Sequence, residues 1–179
     1  MSSEKTTAEK TFDQGIDGDK LFQKRAKQAL PILVRQAKAQ QVITYEDLAA
    51  ELEMPNPRNL NYVLGAIGNS LKHAEKQLNI EVPLINAIVV RKTSGLPGEG
   101  LDWFLQRNYS NLDLKQKKEL ISFANTDIFT FPYWDRVLHI LGLEPTPSKD
   151  ISEIKIKQHN YSKIAESEDH KALKLFILN

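Results

Sequence analysis

Apolar residues recur near helical spacing from about Asp19 to Gln40, at Leu21, Phe22, Ala26, Ala29, Leu30, Leu33 and Ala37. This predicts a long first helix, with Asp19 as its N-cap. Pro31 falls inside the pattern and predicts a kink or a split, because proline has no N–H and its ring crowds the preceding turn. Val42-Ile43 predicts a short strand, and Thr44 predicts the cap of a helix from Tyr45 to Leu52, with Asp47 placed three residues later as in a capping box. Met54-Pro55-Asn56-Pro57 predicts a turn. A further helix is expected from Arg58 to about Leu78, its apolar face carrying Leu60, Val63, Leu64, Ile67, Leu71, Ala74 and Leu78. Gly65 and Gly68, on or beside that face, leave room for another element to come close.

The second half is more mixed. Val82 to Val90 reads as an apolar strand with Pro83 at its edge. It enters Arg91-Lys92-Thr93-Ser94-Gly95-Leu96-Pro97-Gly98-Glu99-Gly100, a tight exposed loop from which Leu101 to Leu105 returns to the core. Leu112 to Phe123 predicts a second-layer helix capped by Asn111 or Asp113, with Lys115, Lys117 and Lys118 outward. Thr126 to Trp134 reads as aromatic and extended, and Pro132 opens a helix through Leu141 that Gly142 stops. The aromatics Phe129, Phe131, Tyr133 and Trp134 suit either base stacking or packing against Val137, Leu138 and Leu141; their density favours packing.

These elements predict a mainly α fold with a small β-hairpin: a winged helix-turn-helix core with additional C-terminal helices. Residues 1–17, polar and short, read as a flexible leader; 18–144 as the winged-helix domain with its helical extension; and 145–179, which begins inside the linker-like Glu144-Pro145-Thr146-Pro147-Ser148, as a linker and C-terminal tail or helix. The chain stops at Asn179 while still apolar, as a docking tail or a piece of a longer protein would.

Charge changes this picture only regionally. The formal net charge is +1, yet Asp19 to Lys92 holds eleven Lys/Arg against seven Asp/Glu, while residues 1–17 and 93–144 each sum to −2. The stripe Lys20, Lys24, Lys27, Arg35 and Lys38 on the first helix is consistent with a solvated face or with a path along phosphates. In a helix-turn-helix the start of the second helix meets base edges, and here it carries Arg58, Asn59, Asn61 and Tyr62. Arg pairs with guanine and Asn with adenine, so the residue types suit double-stranded DNA as well as an ordinary solvated first turn. Arg91 and Lys92, at the base of the glycine-rich loop, stand where a wing would grip phosphate.

The absence of cysteine excludes disulfides, thiolate metal sites and cysteine nucleophiles. His73, His139, His159 and His170 lack metal-ligand spacing. Asp13 to Lys24 only faintly follows a calcium loop, with Gly15 and Lys24 where carboxylates belong, so no cofactor or metal is expected. No apolar run reaches the roughly 18 residues of a membrane span, and the first fifteen residues lack a signal peptide's apolar segment; the expected location is cytoplasmic.

The order of signals over residues 43–105 resembles the C-terminal domain of the O6-alkylguanine-DNA alkyltransferases and their alkyltransferase-like relatives. Ile43-Thr44-Tyr45-Glu46-Asp47-Leu48-Ala49 is similar to the family's Thr-Tyr-Gly-x-Leu-Ala. Pro57-Arg58 followed by Val63 to Ala66 resembles its Pro-Arg-Ala-Val-Gly-x-Ala-Leu helix, and Val82-Pro83 the start of the segment holding Pro-Cys-His-Arg. The resemblance implies that Arg58 intrudes into the base stack and that Tyr45 crowds the target phosphate. Leu84, Ile85 and Asn86 stand where Cys, His and Arg would be, so alkyl transfer, which needs a thiolate, is excluded.

No other catalytic pattern is persuasive. Glu46, Asp47, Glu51 and Glu53 look like one solvated face, and Asp150 with Glu153-Ile154-Lys155 is only a loose nuclease pattern. The expected function is non-catalytic DNA binding through Tyr45, Arg58, Asn59, Asn61, Tyr62, Arg91 and Lys92. The alternative is a protein-interaction or adaptor module, with the C-terminal tail docking a protein partner, such as the targeting domain of a nuclease-type or defence-type assembly.

Overall fold

The computed structural model describes residues 14–98, 100–101 and 109–147. Among them are five α-helices and a two-stranded sheet, so the fold is mainly helical. The elements are α1 (Leu21–Lys38), β1 (Ile43–Thr44), α2 (Tyr45–Glu51), α3 (Leu60–Leu78), β2 (Val89–Val90), α4 (Leu114–Thr130) and α5 (Trp134–Ile140). Short 3-10 turns occupy Pro57–Asn59, Ile85–Ile88 and Tyr109–Asn111.

Helices α1 and α3 form the centre, and most positions the sequence marks as apolar are buried; Leu21, at the first turn of α1, is instead 62% exposed, and Phe22 and Leu78 are half-buried. Ala26, Ala29, Leu30, Leu33 and Ala37 of α1 pack in one core with Leu60, Val63, Ile67, Leu71 and Ala74 of α3. Pro31 does not split α1. The helix runs unbroken through it, and Leu30, Pro31, Ile32, Leu33 and Val34 are all buried, so packing on several sides holds the turn that lacks a backbone donor. The N-cap is Lys20 rather than Asp19. Gln23 orders this end: its Oε1 accepts from the Lys20 amide, and its Nε2 donates to the carbonyls of Gly15 and Asp17.

Ile16 is 1% exposed, and its amide donates to Ser70 Oγ on α3 at 2.9 Å. Residues 14–17, read from sequence as the end of a leader, are therefore packed against the body, because one apolar side chain in a polar stretch finds a place in the core. The compact unit ends at Thr146; the expected tail helix and the Asp150…Lys155 pattern lie outside the described residues.

Thr44 caps α2 as expected, its Oγ1 accepting from the Asp47 amide at 3.1 Å. The proline-marked turn also behaves locally: Asn56 Oδ1 accepts from the Arg58 amide, and Pro57 opens a 3-10 turn before α3 begins at Leu60.

The small hairpin is not found among the described residues. β1 and β2 are parallel, pairing Ile43 with Val89 and Thr44 with Val90. Parallel strands need a crossover connection, and here it is α2, the turn and α3. Most of the expected strand from Val82 is absent as well. Ile85–Ile88 forms a fully buried 3-10 turn, and Asn86 Nδ2 donates to the Leu64 carbonyl of α3 at 2.8 Å, drawing this segment onto the helix.

The aromatic stretch is likewise more helical than its composition implies. α4 continues to Thr130, with the hydroxyls of Thr126 and Thr130 bonded to carbonyls four residues earlier, Ser122 and Thr126. It ends at Phe131 (φ −64, ψ 120), since the residue before Pro132 avoids helical angles. Asp113 caps α4 through a reciprocal pair with Gln116. Trp134 is 2% exposed and donates Nε1–H to the Ile128 carbonyl, which makes it a packing residue.

Candidate nucleic-acid interface

The seven sequence-predicted site residues fall into two groups. Arg58, Asn59, Asn61 and Tyr62 lie at the end of the 3-10 turn and the first turn of α3, and all four are exposed. Leu60 and Val63 between and beyond them are fully buried, so the amphipathic pattern of α3 forces the intervening polar side chains outward. Arg58 and Tyr62 are four residues apart and share a helix face. Tyr62 leans on Phe22 of α1, ring centroids 6.2 Å apart and planes at 45°, an arrangement that steadies its ring while leaving it 42% exposed.

Tyr45, Arg91 and Lys92 form the second group around the loop that follows β2. The loop is closed on itself by the Arg91 amide donating to the Leu96 carbonyl at 2.9 Å and the Gly95 amide donating to the Arg91 carbonyl at 2.8 Å. Gly95 takes φ +68, a left-handed conformation that glycine adopts without steric cost, with open space around it. Leu96 and Pro97 turn inward and are buried, whereas Arg91, Lys92, Thr93 and Ser94 are exposed.

Tyr45 differs from what the family resemblance implies. Its hydroxyl faces the protein and accepts from the Gly98 amide at 3.0 Å. A Cβ on Gly98 would stand 3.1 Å from Tyr45 Oη and 3.6 Å from Arg91 Nη2, so this glycine lets backbone, phenol and guanidinium converge. Burial pushes the Tyr45 phenol's pKa up, opposed by the Gly98 N–H and by the nearby Arg91 charge. Tyr45 is a strut for the loop in this arrangement, not a free side chain.

Three participants escape a reading of residue types. Gly98 is legible only as part of a Gly-Leu-Pro-Gly loop, Phe22 only as a core position, and Tyr109 by no sequence signal. Tyr109 is 1% exposed and donates its hydroxyl to the Pro97 carbonyl at 3.1 Å. No hydrogen bond, ion pair or ring contact among the described residues joins the two groups; α2 packs on both β2 and the Pro57–Asn59 turn and is the element that spaces them.

The first-helix basic stripe is partly spent on structure. Arg35 is buried and holds Glu51 of α2 through two contacts, Nη2–Oε1 at 2.7 Å and Nη1–Oε2 at 3.1 Å, and so is not part of an outward cationic face. Lys38 pairs with Asp135 of α5, and Lys27 donates to the Gly18 carbonyl. Lys24 remains exposed.

At the positions the resemblance gives to the reactive segment, Leu84 is half-buried and Ile85 and Asn86 are buried in the core. Among the described residues no group of three His, Asp or Glu side chains is placed to hold a metal ion, and no helix is long and apolar enough to cross a membrane. No protein-family model, curated protein or solved structure matches this chain.

Proposed function

We propose that this chain is a non-catalytic DNA-binding module of winged helix-turn-helix type, in which α3 is the recognition helix and the loop 91–98 the wing. The observation that carries this reading is the start of α3. There Arg58, Asn59, Asn61 and Tyr62 are exposed together on the 3-10 turn and the first turn of a core-anchored helix, and no hydrogen bond engages the side chains of Arg58, Asn59 or Asn61 among the described residues. Guanidinium and carboxamide groups left in this state suit base edges and phosphates. Arg91 and Lys92 add positive charge on a loop whose backbone is tied down.

The test is a titration of labelled duplex across salt concentration. Several phosphate contacts give a steep loss of affinity as salt rises, by about 0.9 logarithmic units of affinity per decade of salt for each contact. Absence of binding at low salt overturns the proposal.

A second reading, an adaptor that docks another protein, is favoured by a different observation. Leu21, Leu114 and Phe123 expose between 57% and 62% of their surface, more than large apolar side chains usually show. A protein that is monomeric and binds duplex with a steep salt slope argues against this reading.

A further inference from the structure

The Pro97 carbonyl and the Gly98 amide belong to one peptide group. No cis peptide is present among the described residues, and in a trans peptide the C=O and N–H point in opposite directions. Tyr109 Oη donates to that carbonyl and Tyr45 Oη accepts from that amide, so two tyrosine hydroxyls bracket a single peptide from opposite edges. The unit is thereby fixed by residues of sequence separation 53 on one side and 12 on the other.

Each edge carries a cation. On the Tyr45 side stands Arg91, close to both the phenol and Gly98. On the Tyr109 side, Lys117 of α4 lies with Nζ 5.3 Å from the centre of the Tyr109 ring. Neither cation forms an ion pair among the described residues, and Asp113, one turn before Lys117, accepts the Gln116 amide in the helix cap. Following bond lengths and the contacts through the bracketed peptide, the two cationic groups stand within about 20 Å of each other. That distance covers no more than about six base steps of duplex at roughly 3.4 Å each.

We propose that Lys117 is a phosphate-binding residue, and that Arg91 and Lys117 engage the sugar-phosphate backbone on either side of the tyrosine-bracketed peptide, extending the DNA surface from the loop onto α4. The inference rests on the DNA-binding reading and adds to it a residue on an element outside the helix-turn-helix. The bracket supplies the rigidity: phosphate contacts on a mobile loop lose affinity to ordering, whereas here the backbone between the cations is already held.

The experiment measures affinity of the full chain for a labelled mixed-sequence duplex against salt, for the wild type and for Lys117→Gln, Lys117→Arg, Arg91→Gln and Lys76→Gln. Loss of one phosphate contact lowers the steepness of the log–log plot by about 0.9, equivalent to about eightfold weaker binding at 0.1 M salt. Lys117→Gln and Arg91→Gln are each expected to show that loss. Lys117→Arg, which keeps charge and coverage of Tyr109, is expected to retain the wild-type slope, and so is Lys76→Gln, which makes the same change in net charge on α3. A wild-type slope for Lys117→Gln, a loss for Lys117→Arg equal to that for Gln, or an equal loss for Lys76→Gln overturns the inference while leaving the DNA-binding reading in place. If the wild type itself does not bind duplex at low salt, the DNA-binding reading fails first.

Discussion

The hydroxyl of Tyr45, the first residue of α2, accepts the amide hydrogen of Gly98 at 3.0 Å across 53 residues of chain. Tyr45→Phe keeps the ring and leaves that amide without its partner, which is expected to cost about 1 kcal/mol of stability. Chemical denaturation checks the cost, and faster hydrogen exchange at Gly98 shows that it is local. The pH dependence follows from the raised phenol pKa, whose leading cause is burial. A raised folded-state value means that the folded protein prefers the neutral phenol. That contribution is fully present below the unfolded tyrosine value of about 10 and is lost as pH rises through the higher folded value. Wild-type stability is therefore expected to fall above about pH 10 more steeply than that of Tyr45→Phe.

Arg35 and Glu51 tie α1 to α2 by a two-pronged ion pair, with side-chain exposures of 7% and 22%. Removing the carboxylate with Glu51→Gln leaves a buried guanidinium without its counter-charge, with only neutral acceptors such as Gln36 Oε1 beside it. The expected loss is about 2–4 kcal/mol, kept below the fully buried extreme by the partial exposure of Glu51. Arg35→Met combined with Glu51→Leu is expected to recover most of it. Urea denaturation of the wild type, Arg35→Met, Glu51→Leu and the double variant gives the coupling energy directly.

Ile16 should behave as a core residue despite its polar surroundings in sequence. Ile16→Ala is expected to cost about 2–4 kcal/mol, as for other large-to-small changes at fully buried sites. A change within about 0.5 kcal/mol, the range of an exposed position, contradicts the packing of this segment on α3.

At the start of α3, exposure and burial alternate, and the expected effects divide accordingly. Arg58→Ala and Asn61→Ala should leave thermal stability nearly unchanged and weaken duplex binding by about 1–3 kcal/mol each. Leu60→Ala, between them and fully buried, should destabilise the fold by about 2–5 kcal/mol. Melting curves and binding isotherms on the same preparations separate the two outcomes.

What the sequence determined by itself is what local chemistry decides. The caps at Thr44 and Asp113, the turn through Pro57 and most of the apolar positions of α1 and α3 follow from side chains acting on backbone within about four residues, and each is found close to its expected place. The exposure of Arg58, Asn59, Asn61 and Tyr62 follows from the same periodicity.

Tertiary structure decided whatever depends on a distant partner. Val82 to Val90 looks like a strand, yet only Val89 and Val90 meet β1, and the residues before them are drawn onto α3 by the Asn86 amide. Arg35 looks like one more cation on a basic stripe until Glu51, sixteen residues away, pulls it into the interior. The tyrosine bracket around the Pro97–Gly98 peptide joins α2, the loop and the turn before α4 through two hydrogen bonds, and no spacing along the chain encodes it. A hydrogen bond between residues far apart in sequence depends on how the helices stack, which is set by the whole core rather than by either partner's neighbours.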